Sequence, residues 1–358
     1  MNRRRFLASG ATFGAALAAG HAPALGQARI AQQARPVWDS WMAAYLRSDG
    51  RVVDTLQQEA SHSEGQGYGM LAATMFEDEA AFRLMYRWTE QQLALRPDAL
   101  LAWRWLPGQA NAVPDRNNAS DGDLFYAWAL VRAAARFNDR SYLTRAAEIA
   151  QALASSCIVP MPGASDKLVF LPAAFGFRHD THMSVNPSYY MPLAMRDVAA
   201  ATGVSALAAC AQHGEVLLEE IARDGLVPDW VDISERGVTV SEALSQNAGY
   251  EAMRVPLFLI WSRLQQHMAV RRMASVYERS LQPGREAPTV VEPLSGVVLE
   301  TSADPGYQAL AGLVVCSAGQ GLGALIPPFS ADQPYYPATL QLFTMFAATE
   351  TMPECVPL

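Results

Sequence analysis

An all-α fold, with roughly a dozen helices in antiparallel pairs, is what this sequence predicts. Three observations point there. Apolar residues recur at helical spacing along most of the chain. The segments that carry them are joined alternately by tight polar turns and by long loops dense in Pro, Gly and Asn. Strand signals are few and short, and no repeat of fixed period supports the rival α-solenoid. The 358 residues, 51% hydrophobic and 17% charged, suffice for a sizeable core, and length admits either two domains or one large helical barrel. No compositional linker divides the chain, so residues 29–358 read as one domain.

The N-terminus stands apart. Asn2-Arg3-Arg4-Arg5-Phe6-Leu7 is followed by a small-residue apolar run to Ala19 and a cleavable-looking Ala22–Ala28 segment. A basic start, a short apolar centre and small residues before the cut are the export pattern, so residues 1–28 read as a signal peptide. The arginines before Phe-Leu resemble a twin-arginine signal, which implies a periplasmic or secreted product. A first amphipathic helix over 36–47 carries Trp38, Trp41 and Tyr45 on one stripe. Helices over 67–76 and 79–93 follow, then Pro97-Asp98 breaks the pattern and Leu101–Trp105 reads as extended. An alanine-rich helix over 124–137 pairs with one over 141–155. The zone 159–186 is non-helical, and Pro187 is placed to open the next helix. Further helices are expected over 206–222, 250–264, 269–281, 306–318 and 336–349, with 282–303 irregular.

The chemistry concentrates where irregular loops meet helix starts. Ser61-His62-Ser63-Glu64-Gly65-Gln66-Gly67-Tyr68-Gly69-Met70 places glycine at every second position around a lone acid. Missing Cβ atoms allow a sharp turn or the close approach of a ligand. A carboxyl group at a crowded helix mouth suits general-acid work, although capping the helix is the plainer role. Asp121 precedes the 124–137 helix, with Ser120 and Asp121 both natural N-caps. Glu251 stands at the start of the 250–264 segment, three residues before Arg254, which therefore shares its face. In a barrel of helix pairs, inner helices of one direction would present these three acids at one rim.

Other chemistries find little support. A net charge of −8 argues against nucleic acid and anionic membranes as partners. No apolar run after the N-terminus is long enough to span a bilayer. Asp121-Gly122-Asp123 fails as a calcium loop, because Ala119 and Trp128 fall where ligands are needed. His179 and His182 lack a ligand cluster, no serine sits in a nucleophile elbow, and Cys157, Cys210, Cys316 and Cys355 form no CxxC pair. Eight Trp and twelve Tyr suit carbohydrate stacking, with Trp103, Trp230 and Tyr335 as candidate platforms.

Read in order, His62–Met70, Ala119–Leu124, Asn186–Tyr190, Pro228–Trp230 and Tyr250–Pro256 resemble glycoside hydrolase family 8. They look most like its periplasmic endoglucanases that accompany bacterial cellulose synthase, and Gln333–Tyr336 is similar to that group too. The resemblance spans residues 51–346. It implies an (α/α)6 barrel and inverting hydrolysis of β-1,4-glucan chains, with no metal or organic cofactor. It also implies a functional link to a cellulose synthase complex. By position, Glu64 corresponds to the general acid and Asp121 to the residue holding the distorted sugar. Tyr250 and Arg254 flank the base, and Asn186 and Tyr189 fall in a substrate-contacting motif. Glu251 stands where the family carries an aspartate base, one methylene longer. Rival readings keep the fold but change the sugar to xylan, mixed-linkage glucan or chitosan, or make the chain a non-catalytic glycan-binding or synthase-assembly protein. Asp229 is the rival base. Replacing Arg3, Arg4 and Arg5 together with Lys is expected to hold the precursor in the cytoplasm, and undiminished delivery in a fractionation assay would refute the twin-arginine route.

Overall fold

The computed structural model describes residues 35–280, 286–319 and 323–356. The signal-peptide reading of residues 1–28 falls outside them. Eleven α-helices lie among the described residues: α1 (Arg35–Tyr45), α2 (Ser63–Met75), α3 (Glu79–Gln92), α4 (Ser120–Arg136), α5 (Ser141–Ser156), α6 (Pro192–Thr202), α7 (Ser205–Ile221), α8 (Arg254–Trp261), α9 (Met268–Ser280), α10 (Pro305–Ala318) and α11 (Tyr335–Thr351). Helices α2, α4, α6, α8, α10 and α11 touch in that order, and α11 returns to α2, so an inner ring of six closes. Outside it, α1 packs on α11, α3 on α2, α5 on α4, α7 on α6, and α9 on both α8 and α10. This is the (α/α)6 barrel that the resemblance implied.

The two layers differ in sequence for a physical reason. Inner helices are covered on every side, and α2, α4, α8 and α11 bury nearly all their residues. Outer helices such as α3 and α9 bury one stripe only, Phe82, Met85 and Trp88 in the first and Val270, Met273 and Tyr277 in the second. The middle of the ring is filled with aromatic side chains. Phe125 meets Tyr68 at 4.6 Å, Phe258 at 5.3 Å and Phe343 at 5.9 Å, and Trp261 meets Trp128 at 5.4 Å and Phe343 at 5.3 Å between ring centres. The barrel is therefore a packed core with a floor, not a channel.

Close helix approach is the use of the glycines. Gly67 is helical, and a Cβ there would stand 2.8 Å from the Tyr126 amide on α4. A Cβ on Gly122 would stand 2.2 Å from Ser63 Oγ and 2.7 Å from the Glu64 amide. What comes close is the neighbouring helix rather than a turn or a ligand, which corrects that part of the sequence reading.

The non-helical zones hold more strand than expected. β1 (Ser61–His62) pairs with β2 (Arg104–Trp105), β3 (Ile158–Met161) with β4 (Ala164–Phe170), and β5 (Met183–Val185) joins β6 (Val231–Ser234) and β7 (Gly237–Val240). β8 (Ala287–Val291) and β9 (Val298–Ser302) form a hairpin in the stretch read as irregular. These strands are short, and β1 and β5 find their partners far along the chain, so local patterning carries little of the signal. Two helix starts also move. Pro187–Tyr189 makes one 3-10 turn, and α6 begins at Pro192 because a residue before proline avoids the helical region. α8 begins at Arg254, leaving Tyr250 and Glu251 in the turn before it. Cys316 and Cys355 form a disulfide, whereas Cys157 and Cys210 are buried thiols.

One buried carboxyl group ties the loops around α4. Asp123 Oδ1 accepts from the Leu101 amide at 2.8 Å and Oδ2 from Asn118 Nδ2 at 2.9 Å, while Asn118 Oδ1 accepts from the Ala174 amide at 2.7 Å. Burial pushes the Asp123 carboxyl up to about 7, against the pull of those two hydrogen bonds. A raised carboxyl keeps its proton in the folded state while the unfolded chain has released it. Stability linked to Asp123 therefore falls as pH rises from the ordinary carboxylate range, about 4, to about 7, and levels off above. Urea unfolding should show the advantage of the wild-type chain over Asp123→Asn shrinking by a few kcal/mol, order of magnitude, between about pH 4.5 and 7.5. A difference independent of pH would refute the assignment.

Candidate active site

Arg254 sits on the first turn of α8 and is 2% exposed, at the bottom of a cluster of acids. Its Nη1 donates to Glu64 Oε2 at 2.5 Å and lies 3.6 Å from Asp121 Oδ2, and its Nη2 donates to Glu251 Oε2. Three carboxyl groups from three parts of the chain thus face one guanidinium at one end of the inner ring. The pairing is not a surface ion pair, since the cation is fully enclosed.

Each acid arrives by a different local device. Glu64 lies in the first turn of α2, whose N-cap His62 makes no side-chain capping bond. The β1–β2 pair and the Ser63 amide, bonded to the Trp103 carbonyl at 3.0 Å, set the entry to that helix. Ser120 and Asp121 do not cap α4, because the N-cap position falls on Ala119. Instead Ser120 Oγ donates to the Leu171 carbonyl at 2.6 Å, and Asp121 Oδ1 accepts from the Gly122 amide at 2.7 Å. Asp121 Oδ2 is buried with no hydrogen-bond donor. Burial first, and then the charge of Glu64, pushes the Asp121 carboxyl well above the usual range, with Arg254 opposing. If all three acids were ionised, the single arginine would leave two negative charges uncompensated, and the cost would fall on Asp121, the one acid of the three that is fully buried. A proton is therefore held on Asp121.

Glu251 is more exposed and is held from the α6 side. Asn186 Nδ2 donates to its Oε2 at 3.1 Å. The Ser188 hydroxyl accepts from Arg254 Nη2 at 2.7 Å and lies 2.7 Å from Asn186 Oδ1 and 3.3 Å from Glu251 Oε2, one of which takes its proton. Tyr189 presents its ring 5.8 Å from the Arg254 guanidinium. Tyr68, standing on the aromatic floor, brings its hydroxyl to 3.3 Å from Arg254 Nη1.

Tyr250 is 43% exposed and meets Glu300 Oε2 at 3.2 Å through its hydroxyl. Trp103 stacks on His62 at 5.9 Å, donates to Asp115 Oδ2 at 2.9 Å and carries the Arg104 guanidinium over its ring. Trp230 stacks on Phe177 at 5.7 Å. Tyr335 is the correction among the proposed platforms. It is 3% exposed and packed against Trp41 and Tyr45, with its hydroxyl turned toward Gly65, so neither ring face is open to a sugar. Asp229, the rival base, is buried in the loop before β6 and faces backbone amides.

Sequence reading passed over Ser188, Tyr68 and Tyr336, whose hydroxyl donates to the Tyr250 carbonyl at 2.5 Å. Ser188 carried a signal, because Asn-Pro-Ser is a turn with its side chains directed at its own backbone. Tyr68 and Tyr336 carried none beyond helical spacing. Among the described residues, no group of His, Cys, Asp and Glu could hold a metal ion.

Comparison with known proteins places this arrangement. The chain is 33% identical over 328 residues to a probable endoglucanase of Novacetimonas hansenii, covering 90% of this chain and 91% of that one. It is 32% identical over 231 residues to an endoglucanase of Cellulomonas uda, covering 64% of each. The solved structure of the endo-β-1,4-glucanase CMCax from Acetobacter xylinum superposes with a TM-score of 0.80 at 31% identity, over 91% of this chain and 99% of that one. The model of the glycosyl hydrolases family 8 matches residues 18–350. The chain belongs to glycosyl hydrolases family 8 and is a glycoside hydrolase.

Proposed function

We propose that the chain is an exported endo-β-1,4-glucanase that cleaves β-1,4-glucan with inversion, in the service of bacterial cellulose production. The observation that carries the catalytic reading is the convergence of Glu64, Asp121 and Glu251 on Arg254. Glu64 and Glu251 hold different nitrogens of one guanidinium, which keeps the two carboxyl groups on separate branches of the fork. Inverting hydrolases keep their two carboxyl groups roughly 6.5–9.5 Å apart, which leaves space for the attacking water.

In this reading Glu64 gives a proton to the glycosidic oxygen as the carbon–oxygen bond breaks. Glu251 takes a proton from the water that attacks the opposite face of the sugar. Asp121, with its unpartnered Oδ2, accepts a hydroxyl of the sugar in its strained ring form. Arg254 keeps Glu251 oriented toward the attacking water. Asn186 and Tyr189 stand on the Glu251–Arg254 side, and Tyr250, Trp103 and Trp230 are the aromatic groups assigned to the bound glucan. The glucan specificity is supported by the relatives' names. Export is supported by the composition of residues 1–28 and by the Cys316–Cys355 disulfide, which suits an oxidising compartment. The synthase link rests on the resemblance of the motif set alone.

Reducing ends released from carboxymethylcellulose, xylan and chitosan test the substrate, and preference for either of the last two would overturn the glucan reading. Glu64→Gln and Glu251→Gln should each lose on the order of 10²–10⁴-fold in turnover while still binding cello-oligosaccharides. Glu251→Asp should retain partial turnover. Near-normal hydrolysis by Glu251→Gln would move the base elsewhere.

A further inference from the structure

We infer that Asp229 is a positioning residue for the general base, acting on the backbone that carries Glu251; this rests on reading Glu251 as that base. Glu251 lies outside α8, in a turn whose Gly249 and Glu251 carbonyls accept from the Met253 and Arg254 amides at 3.1 Å each, which leaves the amides at its entry to be held from elsewhere. Its side chain has one more rotatable bond than aspartate, so its carboxylate is placed only as well as its backbone is. Asp229 supplies that placement. Its Oδ1 accepts from the Gly249 amide at 2.9 Å and from the Ala252 amide at 2.8 Å, one on each side of Tyr250-Glu251. Its Oδ2 accepts from Ser245 Oγ at 2.7 Å, and its own amide donates to the Asn247 carbonyl at 2.8 Å.

The geometry is specific to a carboxylate in that place. A Cβ on Gly249 would stand 2.8 Å from Asp229 Oδ2, so the loop can close on the carboxylate only where residue 249 has no side chain. From the opposite side, Tyr336 of α11 donates to the Tyr250 carbonyl. The Tyr250-Glu251 pair is thus held by Asp229 on the flanking Gly249 and Ala252 amides and by a phenol on the Tyr250 carbonyl. Asp229 is 6% exposed, with both oxygens turned into the loop, and neither is directed at the space between Glu64 and Glu251.

The roles of positioner and base separate by experiment. Asparagine can still accept both amides through Oδ1 and can donate to Ser245 Oγ, whereas alanine frees the turn. Turnover of Asp229→Ala should fall on the order of 10²-fold, as for a reacting group displaced by about 1 Å, with KM within about threefold. Asp229→Asn should return to within about fivefold of wild type. Azide, which can attack the anomeric carbon in place of water while Glu64 protonates the leaving oxygen, should restore Glu251→Ala but not Asp229→Ala. Asp229→Asn as inactive as Asp229→Ala, or azide rescue of Asp229→Ala alone, would make Asp229 the base and overturn the inference. Wild-type turnover in Asp229→Ala, or a loss fully explained by the unfolded fraction in circular dichroism, would overturn it too. If Asp229→Ala does not fold, Ser245→Ala and Tyr336→Phe each remove one contact of the grip and should lower kcat without changing KM; unaltered kcat in both counts against it. Full activity of Glu251→Gln would instead remove the base reading itself, whatever the Asp229 variants do.

Discussion

A buried cation is costly unless its charge and its hydrogen bonds are matched, and the rim of this barrel is arranged around one. Arg254 is enclosed by Glu64, Asp121, Glu251, Ser188 and Tyr68. Removing one partner of such a buried pair typically costs about 3–5 kcal/mol, because the remaining charge stays desolvated. The acids depend on the arginine in turn, since three carboxyl groups brought to one site would otherwise repel one another. Arginine suits the place better than lysine, because its planar fork can hold two carboxylates on separate nitrogens at once. The same cation that makes the cluster stable therefore fixes the spacing on which the hydrolytic reading depends.

That spacing is inherited from how closely the inner helices pack. Glu64 and Asp121 stand on neighbouring first turns because Gly122 leaves room for Ser63 and the Glu64 amide. Gly67 repeats the device one turn further down, against the Tyr126 amide. Below the acids, Tyr68 links the two levels, with its ring on Phe125 and Phe343 and its hydroxyl at Arg254. The aromatic floor excludes water beneath the cluster and so strengthens every charge interaction in it. Packing and chemistry share residues here: the face of α2 that fills the core also carries the acid.

Much of this was legible in the chain because it repeats locally. Helical spacing located the barrel helices, and acids set at the ends of Gly- and Asn-rich loops marked Glu64, Asp121 and Glu251. What was not legible comes from contacts between distant segments. The role of the glycines is set by the side chains and helices packed against them rather than by a turn of their own, so the reading that opened this helix at residue 67 missed its start at Ser63. Tyr335 looked like a sugar platform by type and by motif, yet α1 covers it with Trp41 and Tyr45. The β8–β9 hairpin went unseen because its register is interrupted by irregularities and its outer strand is exposed, so neither strand shows a clean alternation.

The two carboxyl groups assigned to hydrolysis are held in opposite ways, and their tasks account for the difference. Glu64 stands on a helix whose neighbours leave its backbone no freedom, and Gly65 after it meets the Tyr335 hydroxyl. A proton donor must meet one fixed atom, the glycosidic oxygen, and a rigid helix end supplies that. Glu251 must meet a water, which can adjust, and the side chain is correspondingly more open and reached through a turn. A turn alone would leave the water poorly placed. Asp229 on the amides and Tyr336 on the carbonyl give that turn the rigidity that α8 does not reach far enough to provide. The longer side chain at position 251 is thus carried by a backbone anchored at both ends, and its reach is set by the loop's hydrogen bonds as much as by its own length.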